Sequence, residues 1–239
     1  EGPDGGPTGL EYELAKGFAD KLGVKLKLVV APNVGKVLQH LAEGKANFAA
    51  ASLTVTKERK EWLRFTPPYR HIKQQLIYRL GTPKPDTLDD IDGHLEVLAD
   101  STQADCLEHL KQDHPKLSWS EKLNADSEAL LTGIWEKSID YTVASSSEVA
   151  LSRRFYPELR VAFDVTDSQP VAWAFPKTDD KSLYEAASEY FAQLRSSGKL
   201  ARLIERNYGN TQDFDYVGNR IYRNHIQERL PKYKAAFEQ

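Results

Sequence analysis

The sequence predicts an α/β protein built from two lobes, and three observations support this prediction. Helical and strand-like hydrophobic patterns alternate along most of the chain, which is typical of α/β architecture. The same alternation begins again at Leu95, after a turn-rich connector at 81–90. It stops near Thr211, where a basic, aromatic and irregular stretch begins. We therefore expect two packed lobes followed by a segment of different character.

The first half of the chain contains two helix patterns with recognisable ends, together with several strand patterns. Leu10, Leu14 and Phe18 recur at helical spacing, and Gly23 stands where a C-terminal cap is expected. A second helix is expected to end at Gly44. The elements predicted here are a helix at 10–22, a strand at 24–30, a helix around 37–41, a short buried strand at 47–51 and a strand at 74–80.

The second half repeats this order of elements. Its clearest pattern is the amphipathic helix at 183–194, which Gly198 is expected to end. The other predicted elements are strands at 95–99, 141–145, 161–165 and 171–175, and helices carrying Ala104, Leu107 and Leu110, then Leu130, Ile134 and Trp135.

Composition excludes several classes of protein. The chain has 239 residues, 40% hydrophobic content and a net charge of -3, so its charge gives no reason to expect nucleic acid as a partner. No apolar run approaches the ~20 residues of a membrane span. The single cysteine, Cys106, cannot form an internal disulfide. Because the chain opens at Glu1 in a turn-like stretch, we interpret it as part of a longer precursor.

The segment from Ser52 to Arg59 is the most informative motif. It follows a predicted buried strand and starts a helix, with Thr54 or Thr56 placed to cap it. A helix start favours anions, and the planar fork of arginine matches a carboxylate. The alternative is an ordinary surface helix whose Arg59 pairs with Glu58 or Glu61. The pattern alone leaves both interpretations open.

The string SLTVTKERKEWLRFTPPY at 52–69 resembles the signature of the family 3 periplasmic solute-binding proteins. GLEYELAKGFADKLGVKLKLV, LDDIDGHLEVLADST and SGKLARLIERNYG resemble further segments of that family in the same order, covering residues 9 to about 209. The resemblance implies the two-lobed type II periplasmic binding protein-like fold, with two hinge crossings near 78–85 and 166–172. It also implies a small polar ligand in the cleft between the lobes.

The resemblance further implies roles for particular residues. Arg59 would hold a ligand carboxylate. Ser101 and Thr102, at the start of the second lobe's helix, would add hydrogen-bond donors from across the cleft, although both also fit the role of a simple N-cap. Tyr69 is a candidate for the cleft wall, although a buried core aromatic is the favoured interpretation. The ligand-binding candidates are Ser52, Thr54, Arg59, Tyr69, Ser101, Thr102 and Ser145.

Two departures from the family pattern bear on the ligand. Amino-acid binders of the family place an aspartate where this chain has Ser145, and that aspartate pairs with the ligand's ammonium group. Losing it removes a charge-assisted hydrogen bond, which argues against a free α-amino acid. The second departure is that the family's first strand would precede Glu1.

The tail narrows the resemblance. DFDYVGNRIYRNHIQERLPKYKAAFEQ and the segment DYTVASSSEVALSRRFYPELRVAFDV resemble a family of membrane-bound peptidoglycan lytic transglycosylases, in which such a module precedes a catalytic domain. This resemblance implies a periplasmic, outer-membrane-associated module that senses cell-wall peptides or muropeptides and regulates the attached enzyme. The expected domains are 1–82 and 168–210 in lobe 1, 83–167 in lobe 2, and a linker at 211–239.

No catalytic, metal or cofactor site is predicted within this chain. His109 and His114 lack zinc-ligand spacing, and no serine nucleophile elbow is present. Two alternatives remain open. A stand-alone binding protein of an amino-acid importer would end near Gly209, and a dehydratase on the same scaffold would need a buried acid facing the cleft.

Overall fold

The computed structural model describes residues 6–123 and 125–208, and helices and strands alternate along them. The helices are α1 (Leu10–Leu22), α2 (Val34–Ala42), α3 (Lys57–Trp62), α4 (Thr102–Leu110), α5 (Ser127–Glu136), α6 (Ser146–Ser152), α7 (Ser182–Ser196) and α8 (Lys199–Tyr208), with a short 3₁₀ helix at Leu88–Asp90. The strands are β1 (Leu63–Phe65), β2 (Arg70–Ile72), β3 (Gln74–Arg79), β4 (Glu96–Leu98), β5 (Ser120–Lys122), β6 (Tyr141–Ser145), β7 (Leu159–Asp164), β8 (Gln169–Val171) and β9 (Ala174–Pro176). This order confirms the predicted α/β class.

The strands form two groups. In the first, β3 lies between β6 and β7 and pairs with both in antiparallel register. β4 pairs in parallel with β5, and a bridge between Leu95 and Tyr141 connects this pair to β6. The second group consists of two short antiparallel pairs, β1 with β9 and β2 with β8. The first group of strands therefore comes from the continuous stretch 74–164. The second group comes from the segments before and after that stretch, at 63–72 and 169–176.

Each group of strands has its own core. In the first lobe, the Trp173 ring lies 5.7 Å from the ring of Phe18 on α1 and 4.8 Å from that of Phe191 on α7, measured between centroids. These three side chains are at most 1% exposed. The second lobe packs its sheet against α4 and α5. Its fully buried members include Leu76, Val97, Leu107 and Ile134.

The chain crosses between the two cores twice. Ile72 belongs to the first core and Leu76 to the second, so the first crossing lies at 72–76. Phe163 packs against the second core and Val171 belongs to the first. The predicted hinge at 78–85 is wrong, because β3 is paired with β6 and β7 over its whole length. The exact bounds of the lobes stay a prediction, and the two cores favour a first boundary near Ile72 rather than at residue 82.

Two predicted strands of the first lobe are absent. Residues 24–30 form no strand pairing with any described residue, and Val24 and Val30 are 56% and 86% exposed. Only Leu26 packs against the core. Residues 47–51 contribute one bridge, between Ala49 and Ala174, rather than a strand. A hydrophobic alternation shows which side chains face inward, but a strand also needs a neighbour to accept its hydrogen bonds.

The helix ends follow the sequence more closely. Gly23, at φ 70°, is the C-cap of α1 and has the left-handed conformation that glycine adopts at least cost. The predicted linker at 211–239 lies outside the described residues.

Candidate ligand-binding site

Arg59 lies at the centre of a polar cluster between the two lobes. Thr56 caps α3 by accepting a hydrogen bond from the Arg59 backbone, which fixes where the side chain starts. Arg59 Nη1 donates to Thr54 O at 3.1 Å and to Thr54 Oγ1 at 2.9 Å. Its Nη2 donates across the cleft to Thr102 Oγ1 at 3.1 Å. The structure therefore brings three of the predicted site residues together.

The Arg59 guanidinium is a buried cation without an anionic partner among the described residues. The residue is 8% exposed, and no carboxylate of the described chain forms an ion pair with it, so the alternative pairing with Glu58 or Glu61 is absent. Burial lowers the pKa of Arg59, an effect that Asp105 and Glu58 oppose from a distance. Arginine nevertheless stays protonated in proteins, so the charge remains.

Ser52 belongs to a second polar cluster, centred on the Glu11 carboxylate. Ser52 donates to Glu11 Oε1 from its backbone N at 3.2 Å and from its Oγ at 2.8 Å. Trp173 Nε1 donates to Glu11 Oε2 at 3.1 Å, and the Tyr69 hydroxyl donates to Glu11 Oε1. These bonds hold Ser52 at φ 50°, a left-handed conformation that is uncommon for serine.

Sequence reasoning missed Glu11, although a signal for it exists. Glu11 shares a helix face with Leu14, Ala15 and Phe18, which are all buried. A carboxylate on the apolar face of an amphipathic helix needs hydrogen-bond donors in the core, and that requirement distinguishes it from the acids on the solvent face.

Tyr69 is a core residue, so its predicted place on the cleft wall is wrong. The side chain is 4% exposed and stacks on Phe191, with ring centroids 5.4 Å apart. Burial and the neighbouring Glu11 carboxylate hold the pKa of the Tyr69 phenol well above its ordinary value, so the phenol remains a donor. The interpretation that the sequence favoured, a buried aromatic, is the one observed.

Ser101 and Ser145 act as helix caps. Ser101 Oγ accepts from Ala104 N at 3.1 Å at the start of α4. Ser145 begins α6 with a capping box, in which Glu148 accepts from the Ser145 backbone at 2.8 Å. Thr102 differs from these two serines because its hydroxyl meets Arg59. Among the second-lobe candidates, Thr102 is thus the one that contacts the arginine.

A cavity of about 490 Å³ lies between the lobes. Ser101 and Gln103, the sequence neighbours of Thr102, line it, whereas Thr54, Arg59 and Thr102 are not among its described lining residues. Most of the wall is apolar, from Pro32 and Val37 on one side to Leu131, Leu151, Phe155 and Tyr156 on the other. Asp126, Glu128 and Glu148 also line the cavity, and no described lining residue is basic.

The described residues contain no group of three histidine, cysteine or acidic side chains arranged to hold a metal ion. Cys106 is a free thiol whose pKa burial raises to about 11, so it is a poor nucleophile at neutral pH. None of the described helices is long and apolar enough to cross a membrane.

A two-lobed α/β fold with a charged arginine between the lobes defines the class of solute-binding proteins. The family model of the bacterial extracellular solute-binding proteins, family 3, matches residues 1–210, and the chain belongs to this family.

Curated relatives and solved structures agree with this assignment. The chain is 48% identical to membrane-bound lytic murein transglycosylase F 1 of Alkalilimnicola ehrlichii over 238 residues, covering 99% of this chain and 48% of the relative. It is 40% identical to membrane-bound lytic murein transglycosylase F of Yersinia pestis over 233 residues, covering 97% of this chain and 48% of that one. The chain spans about half the length of the curated relatives it matches.

Among solved structures, a mutant of ArgBP from T. maritima superposes with a TM-score of 0.77 at 24% identity, covering 87% of this chain and 89% of that one. The GluR0 ligand-binding core from Nostoc punctiforme, in complex with (L)-glutamate, gives a TM-score of 0.72 at 18% identity, covering 84% and 91%. These similarities confirm the predicted two-lobed fold.

Proposed function

We propose that this chain is the ligand-sensing module of a peptidoglycan lytic transglycosylase. It binds cell-wall peptides or muropeptides between its lobes and modulates an attached catalytic domain. The similarity to lytic murein transglycosylases over nearly the whole chain supports the setting. Membership of the solute-binding family supports the binding role. We place the module in the periplasm, associated with the outer membrane through the full-length protein.

The buried charge of Arg59 is the observation that carries this proposal. A buried cation without an anion is costly, whereas a carboxylate ligand supplies the missing charge. Of the five N–H groups of the guanidinium, three donate to Thr54 and Thr102. The other two, on Nε and Nη2, remain for a side-on carboxylate. Ligand contact with both lobes at this point stabilises the closed form.

The cavity adds a second requirement for the ligand. Its carboxylates, Asp126, Glu128 and Glu148, form no ion pair with a described residue, so the wall carries net negative charge. A ligand with an amine as well as a carboxylate matches this distribution of charge. Peptidoglycan stem peptides carry both groups on short alkyl chains, which suit the apolar remainder of the wall.

These carboxylates also revise the argument that was based on Ser145. The chain lacks an aspartate at Ser145, but Glu148 lies one helical turn away and lines the cavity. An ammonium group therefore has acceptors in the second lobe. For this reason, an amino-acid-binding protein of an importer remains the second candidate function.

Calorimetric titration of the chain with a synthetic stem tetrapeptide and with the free amino acids tests the proposal. We expect heat from the peptide, and a Kd that rises about 30-fold or more in Arg59→Ala, because a buried charged hydrogen bond is lost. Arg59→Lys keeps the charge without the planar fork and should weaken binding less. Arg202→Ala, on the exposed face of α8, is the matched control.

Tight binding of one free amino acid, with no heat from the peptide, would replace the proposal with the importer function. Thermal unfolding of each variant shows whether a lost signal reflects lost ligand contacts or a lost fold.

A further inference from the structure

Arg70 connects the Ser52 segment to the end of α8. It lies on β2, and its Cζ is 4.3 Å from the centre of the Tyr208 ring. Its Nη2 donates to Ser52 Oγ at 3.3 Å. Its Nε is buried without a hydrogen-bond partner among the described residues. Arg70 is thus held by an aromatic ring on one side and by the hydroxyl of Ser52 on the other.

Helix α8, which Arg70 contacts through Tyr208, packs against both lobes. α8 packs against α1 and α7 in the first lobe, and it also contacts α6 in the second lobe. α6 lines the interlobe cavity with Glu148, Leu151 and Ser152. A ligand in the cavity therefore meets a helix that touches α8, and movement of one lobe against the other must alter that contact.

We infer that Arg70 is a positioning residue that couples the interlobe site to the C-terminal end of α8 through its contacts with Ser52 and Tyr208. The inference rests on the proposed function and specifies how it is regulated. Tyr208 is the last described residue of α8, so the coupling reaches the C-terminal end of the part of the chain that the structure describes.

The coupling has two physical components. On the first-lobe side, Ser52 is held in a left-handed conformation by Glu11 and receives a hydrogen bond from Arg70. On the second-lobe side, closure changes the α6–α8 contact. Because coupling between two sites is reciprocal, a ligand that shifts the state of α8 must in turn bind with a different affinity when that state is shifted by a change at Tyr208.

Hydrogen–deuterium exchange on the 239-residue chain, with and without a synthetic stem tetrapeptide, measures the coupling. We expect the peptide to slow exchange in the last turn of α8. Tyr208→Leu removes the ring under Arg70 and should speed exchange at 49–56, the segment that contains Ser52. It should also raise the Kd for the tetrapeptide about 2- to 5-fold, the loss expected for one cation–π contact.

Tyr184→Leu is the matched control. Arg64 lies over the Tyr184 ring at 5.5 Å, so this variant removes a similar contact elsewhere in the first lobe. It should leave both the Kd and the exchange at 49–56 unchanged. Arg70→Lys keeps the charge but cannot contact both Ser52 and Tyr208. It should therefore show the same faster exchange at 49–56 and the same rise in Kd as Tyr208→Leu, and it tests the coupling independently if Tyr208→Leu folds poorly.

The two proposals fail in different ways. If the unmodified chain does not bind the tetrapeptide, the proposed function fails, and faster exchange at 49–56 in Tyr208→Leu still tests the link to Ser52. If the chain binds the tetrapeptide but Tyr208→Leu and Arg70→Lys change neither the exchange at 49–56 nor the Kd, the coupling is overturned and the binding function stands.

Discussion

At the scale of single residues, the Glu11 carboxylate organises the polar contacts of the first lobe. Four donors from three residues converge on its two oxygens: two from Ser52, one from Tyr69 and one from Trp173. An ionised carboxylate can accept all of these bonds, since it has acceptor sites only. Glu11 therefore joins the segment before Arg59 to the buried aromatic core.

Glu11→Gln is expected to destabilise the chain by about 1–3 kcal/mol, because the amide turns a donor toward groups that are themselves donors. Urea unfolding at neutral pH measures this loss. Glu189→Gln on the exposed face of α7 is the control, since its contact with Lys21 spans 3.9 Å and both side chains are substantially exposed. Equal midpoints for the two variants would show that the Glu11 contacts contribute no more than a surface pair.

The residue scale also shows what the sequence could supply. The resemblance named Thr54, Arg59 and Thr102, and the structure brings them together. It could not separate Ser101 from Thr102, because both are hydroxyl residues at a helix start and only their orientation differs. Glu11 was not predicted as a site residue, because the groups that donate hydrogen bonds to it lie far from it in the sequence, between Ser52 and Trp173.

At the scale of elements, the predicted and observed bounds agree best where an element satisfies its own backbone hydrogen bonds. α1 and α7 were predicted within a few residues of their ends, since a helix bonds internally and its apolar face is visible as a period. β6 was predicted with both ends correct because it is buried throughout. The strand expected at 24–30 has the right pattern but no described partner, and a pattern cannot reveal that.

The first crossing between the lobes is fastened by a pH-sensitive contact. Lys73 Nζ and Gln75 Nε2 donate to the Asp164 carboxylate at 2.6 and 2.7 Å. These hydrogen bonds, with Gln75 first, lower the pKa of Asp164 below its ordinary value of 3.8, and the same ion pair raises the pKa of Lys73. The contact therefore joins β7 to the start of β3.

We expect Asp164→Asn to lower stability at neutral pH but not in acid. A lowered pKa means that the stabilisation is complete above the ordinary value of 3.8 and is lost as the pH falls through the folded-state pKa. The effect is small because the pair is partly exposed. Urea midpoints of both proteins from pH 7 to pH 2 test this, and a constant difference across that range would contradict it.

At the scale of the whole molecule, the hydrogen bond from Arg59 to Thr102 joins the two lobes. A two-lobed protein exchanges between open and closed forms that differ by a few kcal/mol. A single interlobe bond to a charged donor, worth about 1.5–3 kcal/mol, is a substantial part of such a difference. The relative position of the lobes is therefore sensitive to one hydroxyl.

Thr102→Val should shift the ligand-free chain toward the open form. Small-angle X-ray scattering would then give a larger radius of gyration than for the unmodified chain. Thr132→Val is the control, because the Thr132 hydroxyl bonds to Tyr156 within the second lobe at 3.0 Å. The idea fails if the two variants scatter alike.

The double crossing of the chain also affects the order in which the two cores can form. The core of the second lobe draws on residues 76–165, whereas the first lobe unites Phe18 with Trp173 and Phe191. Contacts between residues far apart in the chain require a longer loop to close, which costs more conformational entropy and slows folding. We therefore expect the second lobe to gain protection from hydrogen exchange first during refolding, and the first lobe to complete its core afterwards.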